Sequence, residues 1–215
     1  MNKQDYFEAL INKEPSTKQK LFYSAIFLFS QKGYANVGIR ELCRSVNVKE
    51  SAFYNHYEGK EDLFKKILFH FIEQSKQFLY TEDEIQASVA TGDIRLFFEQ
   101  NMQKFANVAG SQLYHTILQI VTMESFIRPE AKEIALKNLY YLRRDYTEKV
   151  LRGMMDRGCI RKCNIELVVA EYYYALKGLL DEYMLIETWG EPLERINEKI
   201  AQHVSFFAQF LKNES

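Results

Sequence analysis

The residues best placed for chemistry lie in one stretch, Lys49 to Lys60. At helical spacing Glu50, Ser51, Tyr54 and Asn55 share the outward side of a short segment, while Val48 and Phe53 take the inward side. His56 follows, and a lysine stands at each end. Hydroxyl, carboxamide, carboxylate and ammonium groups in this pattern suit hydrogen bonding and charge pairing. Covalent chemistry has no support: the chain carries no nucleophile elbow, glycine-rich phosphate loop or HExxH zinc pattern. Its four histidines, at 56, 70, 115 and 203, fall on separate expected helices. No catalytic residue, metal or cofactor is therefore expected. An outward tyrosine beside Asn and His is a costly surface unless it meets something.

Such groups need a scaffold, and the flanking residues supply one. Gly33 stops a helix, since glycine alone takes the left-handed conformation without steric cost. Two short apolar-periodic pieces follow, Ile39 to Val46 and Lys49 to Tyr57, with Asn47 between them as a left-handed turn residue. Ile39, Leu42, Val48 and Phe53 would form a small core, and Lys60 opens a long helix. This order is a helix-turn-helix, whose second short helix protrudes far enough to enter a major groove about 12 Å wide. The helix ahead of it starts at Ser16, where Ser16 and Gln19 have capping-box spacing, and carries Leu21, Ala25, Leu28 and Phe29 on one face. Earlier still, Tyr6, Phe7, Leu10 and Ile11 precede Pro15 as a lead helix or a packing arm.

The stretch resembles the DNA-binding region of the tetracycline-repressor (TetR) family over about 45 residues. The residues that carry the resemblance are Gly33-Tyr34, Ile39-Arg40-Glu41-Leu42, Val48, Phe53-Tyr54-Asn55-His56-Tyr57 and Lys60-Glu61-Asp62-Leu63. The resemblance implies that Tyr54 and Lys60 meet phosphates, while Glu50, Ser51 and Asn55 are candidates for base edges. Arg40 and Arg44 are expected to contact the backbone or water, and His56 to support the DNA-facing surface. Three positions depart from the family pattern. Val37-Gly38 replaces a hydroxyl pair, leaving Asn36 to cap one or two residues early. Asn47 replaces a turn glycine, and Lys49 replaces a capping Ser or Thr, losing a cap of ~1 kcal/mol but adding charge near phosphate.

Beyond Lys60 the apolar pattern continues through Leu63, Phe64, Ile67, Leu68, Phe71, Ile72, Phe78 and Leu79, with breaks at Thr81 and Gly92. Asp93 to Val108, Ser111 to Phe126 and Pro129 to Arg157 read as further helices. Gly158 closes the last of these, Asn164 caps a helix to about Trp189, and Leu193 to Leu211 forms the final one. The expected fold is all-α, about nine helices, with neither internal repeat nor low-complexity segment. Three prolines and nine glycines in 215 residues agree, since sheets need more turn residues. The domain reading is a lead segment over 1–15, a DNA-binding domain over 16–62, and a regulatory and dimerisation domain over 63–215.

The net charge of −1 argues against a nucleic-acid binder, but its distribution does not. Residues 16–65 hold eight basic and five acidic side chains, so a mildly basic head sits on a mildly acidic body. The polar first fifteen residues are unlike a signal peptide, and no apolar run is long enough to span a bilayer. Three scattered cysteines suit a reducing cytoplasm; Cys159 and Cys163 read as free thiols near a helix end, with a redox role as the alternative.

Two further sites are expected in the body. Phe98, Phe105, Tyr114, His115, Tyr140, Tyr141 and Tyr173 are candidate liners of an effector pocket, since tyrosine pairs an apolar ring with a polar tip. Leu179, Tyr183, Ile200, Val204, Phe207 and Leu211 are candidates for a homodimer interface, because the last helix spaces its apolar residues by threes and fours. The expected function is a dimeric regulator bound to a palindromic double-stranded DNA operator. The resemblance favours repression relieved by a small apolar molecule. A protein-recruiting helical dimer and a helical enzyme remain the alternatives.

Overall fold

Hydrophobic spacing of three and four residues, broken by few glycines, leaves the backbone little alternative to helix. A computed structural model describes residues 2–14 and 16–213, and Pro15 lies outside the described residues. Among the described residues there are twelve α-helices and no strand. In chain order they are α1 (Lys3–Lys13), α2 (Thr17–Lys32), α3 (Ile39–Ser45), α4 (Glu50–Tyr54), α5 (Lys60–Ser75), α6 (Glu82–Thr91) and α7 (Ile94–Ala109). They continue as α8 (Gln112–Ser125), α9 (Pro129–Ala135), α10 (Leu142–Asp156), α11 (Ile165–Thr188) and α12 (Glu194–Phe210). No helix among the described residues is long and apolar enough to cross a membrane.

The expectation of about nine helices falls short in identifiable places. The lead segment is a helix, α1, capped by the Asn2 side chain and anchored by Phe7, which is fully buried against Phe27 of α2. Thr81 and Gly92 bound a helix rather than a loop. Thr81 and Glu84 form the reciprocal capping box that sequence spacing assigns to Ser16 and Gln19, and Gly92 ends α6 in the left-handed conformation. Ser16 makes no side-chain cap. Finally, the helix from Pro129 to Asp156 is interrupted by a π-helical turn, Leu136–Tyr141.

The chain divides into two compact units. The first comprises residues 1–77 and 108–138, so α8 and α9 join α1 to α5. Its core includes Leu21, Ile26, Phe29, Leu42, Phe53, Phe64 and Phe71, all fully buried. The second comprises residues 78–107 and 139–215. There Phe97 and Phe98 of α7, Val150 and Met154 of α10, Val169 and Tyr172 of α11, and Val204, Ala208 and Leu211 at the end of the chain share one core.

Candidate nucleic-acid interface

The turn between α3 and α4 is set by two residues. Asn47 adopts a φ of 53°, which its short polar side chain tolerates, and the Val48 amide donates to the Cys43 carbonyl at 2.9 Å. Beneath the turn Val37, Leu42 and Phe53 are excluded from water. The second short helix is five residues long, shorter than the Lys49–Tyr57 span expected. After it the chain bends, and Tyr57 turns inward so that its hydroxyl donates to the Lys18 carbonyl at 2.8 Å. Burial, with Asp62 nearby, pushes this phenol up to about 12. Tyr57 thus ties the end of α4 to α2.

The outward face carries Lys49, Glu50, Ser51, Tyr54, Asn55 and His56, all exposed, with Arg40 beside them on α3. Tyr54 is 56% exposed although its neighbour Phe53 is fully buried. The Arg40 Nε lies 2.8 Å from a Glu50 carboxylate oxygen, an exposed pair worth at most ~1 kcal/mol and open to exchange. Seven of the eight residues expected to face DNA therefore share one open surface around the turn.

Lys60 is placed differently. Its ammonium donates to the carbonyls of Tyr34 and Val37, both at 2.8 Å, and sits 4.2 Å above the Tyr34 ring. Burial, with Arg128 adding its charge, lowers the Lys60 pKa. In this arrangement Lys60 closes the connection between α2 and α3 rather than projecting from the surface.

Around it stands a polar cluster that sequence reasoning did not assign. The Tyr34 hydroxyl donates to Glu61 at 2.8 Å, and Arg128 reaches Glu61 at 2.6 Å and Glu130 at 2.9 Å. The Arg128 guanidinium lies 4.4 Å over Tyr34 and 5.0 Å over Phe64. Buried Glu124 accepts the Tyr34 amide at 2.9 Å. Burial and the Glu61 hydrogen bond push the Tyr34 phenol up to about 12. Arg128 was legible in sequence only as the residue before Pro129, and nothing local ties it to Glu61, 67 positions away.

The profile of the "Bacterial regulatory proteins, tetR family" matches residues 23–67, the span from α2 into α5. The chain is 41% identical over 49 residues to the HTH-type negative transcriptional regulator IcaR of the biofilm operon icaADBC in Staphylococcus epidermidis. That match spans 23% of this chain and 26% of the relative. YttP of Bacillus subtilis, a probable HTH-type transcriptional regulator, is 24% identical over 170 residues, 77% of this chain and 75% of its own. The fold is that of a TetR-family regulator from Mesorhizobium loti, with a TM-score of 0.59 at 14% identity, covering 91% of this chain and 96% of the other. PfmR of Thermus thermophilus, another TetR-family regulator, gives 0.53 at 20% identity over 88% and 97%.

Residues 23–67 match the DNA-binding region of the TetR family, and the fold is that of TetR-family regulators. The residues expected to line one pocket are divided between the two units. Tyr114 and His115 belong to the first unit, where both are buried and Tyr114 stacks on Phe71 at 5.6 Å. The other five belong to the second. Phe98 is core, 4.6 Å from the Tyr172 ring, and the buried Tyr173 hydroxyl bonds Asn101 and Thr147. Phe105 stacks on Phe78 with Arg143 above it, Tyr140 is half-buried, and Tyr141 is exposed. Aromatic density counted along the sequence mixes rings whose packing partners lie in different cores.

The expected interface residues also divide. Val204 and Leu211 are buried within their own chain, in the core of the second unit. Ile200 and Phe207 are half-buried at its edge, and Leu179 and Tyr183 are half-buried on α11. The open apolar residues on these helices are instead Leu167, Tyr174, Leu185, Phe206 and Phe210, with Trp189 just past α11 at 79% exposed. Phe206 and Phe210 stack at 6.3 Å on the outer side of α12.

Proposed function

We propose that this chain is a TetR-family regulator, a dimeric, sequence-specific DNA-binding protein that represses transcription and is released from its operator by a small effector. The observation that carries the reading is the outer face of α4, where Tyr54 stands in water beside Ser51 and Asn55 over a dry core. Phosphate contacts from Lys49, Tyr54 and Arg40 would fix register, and Glu50, Ser51 and Asn55 would read base edges. The functional division follows the sequence reading, with residues 16–62 as the DNA-binding part and 63–215 as the regulatory part. IcaR, a negative regulator by name, supports repression as the direction. The three free cysteines fit action in a reducing cytoplasm.

Dimerisation rests on the apolar residues that α11 and α12 leave in water. A two-fold pair would set two α4 helices against grooves one turn apart, ~34–36 Å, and read a palindrome. Selection of bound sequences from a random duplex pool tests the reading. Enrichment of an inverted repeat whose binding falls steeply with salt is the expected result. Recovery of unenriched sequence would overturn it.

A further inference from the structure

Between α6 and α7 in the second unit lies an open cleft of about 440 Å³, lined by Ala87, Thr91, Phe97, Gln100 and Gln103. At its edge Tyr80, Glu84 and Lys104 make an unusual set of contacts. The Lys104 ammonium sits 3.9 Å above the Tyr80 ring, 2.8 Å from a Glu84 carboxylate oxygen and 3.2 Å from the Leu79 carbonyl. Aromatic face, carboxylate and carbonyl are the three partners an alkylammonium ion seeks. They are also held in advance. The second oxygen of Glu84 accepts the Thr81 amide at 2.8 Å in the α6 cap, and the Tyr80 ring packs on Tyr146 at 4.8 Å.

We propose that Lys104 fills, as a tethered stand-in, a binding site for an organic ammonium ion whose apolar body lies in the cleft. Such a ligand places its cation on Tyr80 and Glu84 while its apolar body lies along Ala87 and the aliphatic parts of Thr91 and Gln100. Lys104, on a flexible four-carbon stem with its side chain 26% exposed, withdraws into water. The cleft volume falls in the range that holds drug-sized molecules, ~300–1,000 Å³. A carboxylate ligand does not fit this spot, because it would face Glu84 and the electron-rich side of Tyr80. The tethered amine of Lys104 competes with such a ligand at an effective concentration of order millimolar.

The inference rests on the reading of the second unit as the effector-responsive part, but its test reads binding directly, without DNA. Titration calorimetry on the full chain compares 4-phenylbutylammonium with neutral 4-phenylbutanol and anionic 4-phenylbutyrate. The amine should bind, and the other two should bind at least ~10-fold more weakly, as loss of a charge-assisted hydrogen bond implies. Lys104→Ala and Lys104→Met should tighten the amine by about fivefold, the worth of a released exposed ion pair. Glu84→Gln keeps the helix cap but removes the charge, and should weaken the amine by ~10-fold. Circular dichroism confirms that each variant is folded. Weaker amine binding in both Lys104 variants, preference for the butyrate, or no amine binding at millimolar concentration in parent and variants alike would overturn the proposal. Amine binding that leaves DNA affinity unchanged would sink the effector switch and leave the site standing.

Discussion

At the scale of single residues, the surface around the α3–α4 turn separates into two kinds of polar group. Lys49 and Asn55 stand free in water, whereas Lys60 spends its ammonium on two carbonyls and a ring. Their variants should therefore fail differently. Asn55→Ala is expected to cost ~1–3 kcal/mol on the best operator and to relax preference at one base position, read by binding to a panel of single-base operator variants. Lys49→Ala should weaken every duplex alike and lower the salt slope by about one unit in titrations at several ionic strengths. Lys60→Ala should instead lower folding stability by ~1 kcal/mol or more, read by urea denaturation, because it strips a charged donor from two carbonyls. An unchanged midpoint for Lys60→Ala, with a reduced salt slope, would return Lys60 to the phosphate-facing set. The sequence could not make this distinction. Motif register places Lys60 at a helix start, but the carbonyls that capture it belong to residues 23 and 26 positions earlier.

At the scale of elements, what was legible depended on whether the deciding contact is local. The left-handed turn at Asn47, the Asn164 cap on α11 and the proline start of α9 were all readable, because each is fixed by a residue acting on its own neighbours. The Ser16 capping box was misread, since its geometry depends on where the chain enters the helix. Helix α6 was missed because its short apolar stripe, Ile85 and Val89 among polar residues, looks like a loop until other helices cover it. Thr81→Ala should cost ~1 kcal/mol through that helix cap. The α11–α12 seam carries a pH signature. His203 stacks on Tyr172 at 5.0 Å with its ring nitrogen 2.9 Å from the Tyr172 carbonyl, and burial lowers its pKa from the ordinary 6.5. The folded state then holds fewer protons there than the unfolded one. The contribution is present above pH 6.5 and is lost as pH falls through 6.5 toward the lower folded value. Burial lowers His70 as well, so the two add in the same window. Urea midpoints should drop between pH 7.5 and pH 5.5, and His203→Gln should flatten part of that slope.

At the scale of the whole molecule, the helical class and the helix-turn-helix arrangement were accessible from pattern. The division of particular aromatic and aliphatic residues between covered and open faces was not. Periodicity identifies a wide apolar stripe but not which edge of it is covered by the same chain, so Val204 and Leu211 looked like Phe206 and Phe210 do in fact look. The dimer prediction moves accordingly. Phe206→Glu with Leu185→Glu should yield a folded monomer in sedimentation at micromolar concentration, since both side chains stand in water in the single chain. Leu211→Glu should unfold the second unit instead, because a buried unpaired carboxylate costs several kcal/mol. A parent chain that sediments as a monomer would end the dimer reading.

The π-helical turn at Leu136–Tyr141 lies where the chain passes in sequence from the first unit to the second. Before it, Ala131 and Ala135 face the core of the first unit; after it, Tyr146, Val150 and Met154 face the core of the second. One surplus residue in a helix turns everything downstream by about 100° relative to an unbroken α-helix. The surplus residue therefore shifts by one position the count between Ala135 of α9 and the α10 stripe of Tyr146, Val150 and Met154. Removing one residue from this turn would restore a regular winding between α9 and α10. Such a deletion is expected to disrupt the second unit far more than any single substitution within the turn.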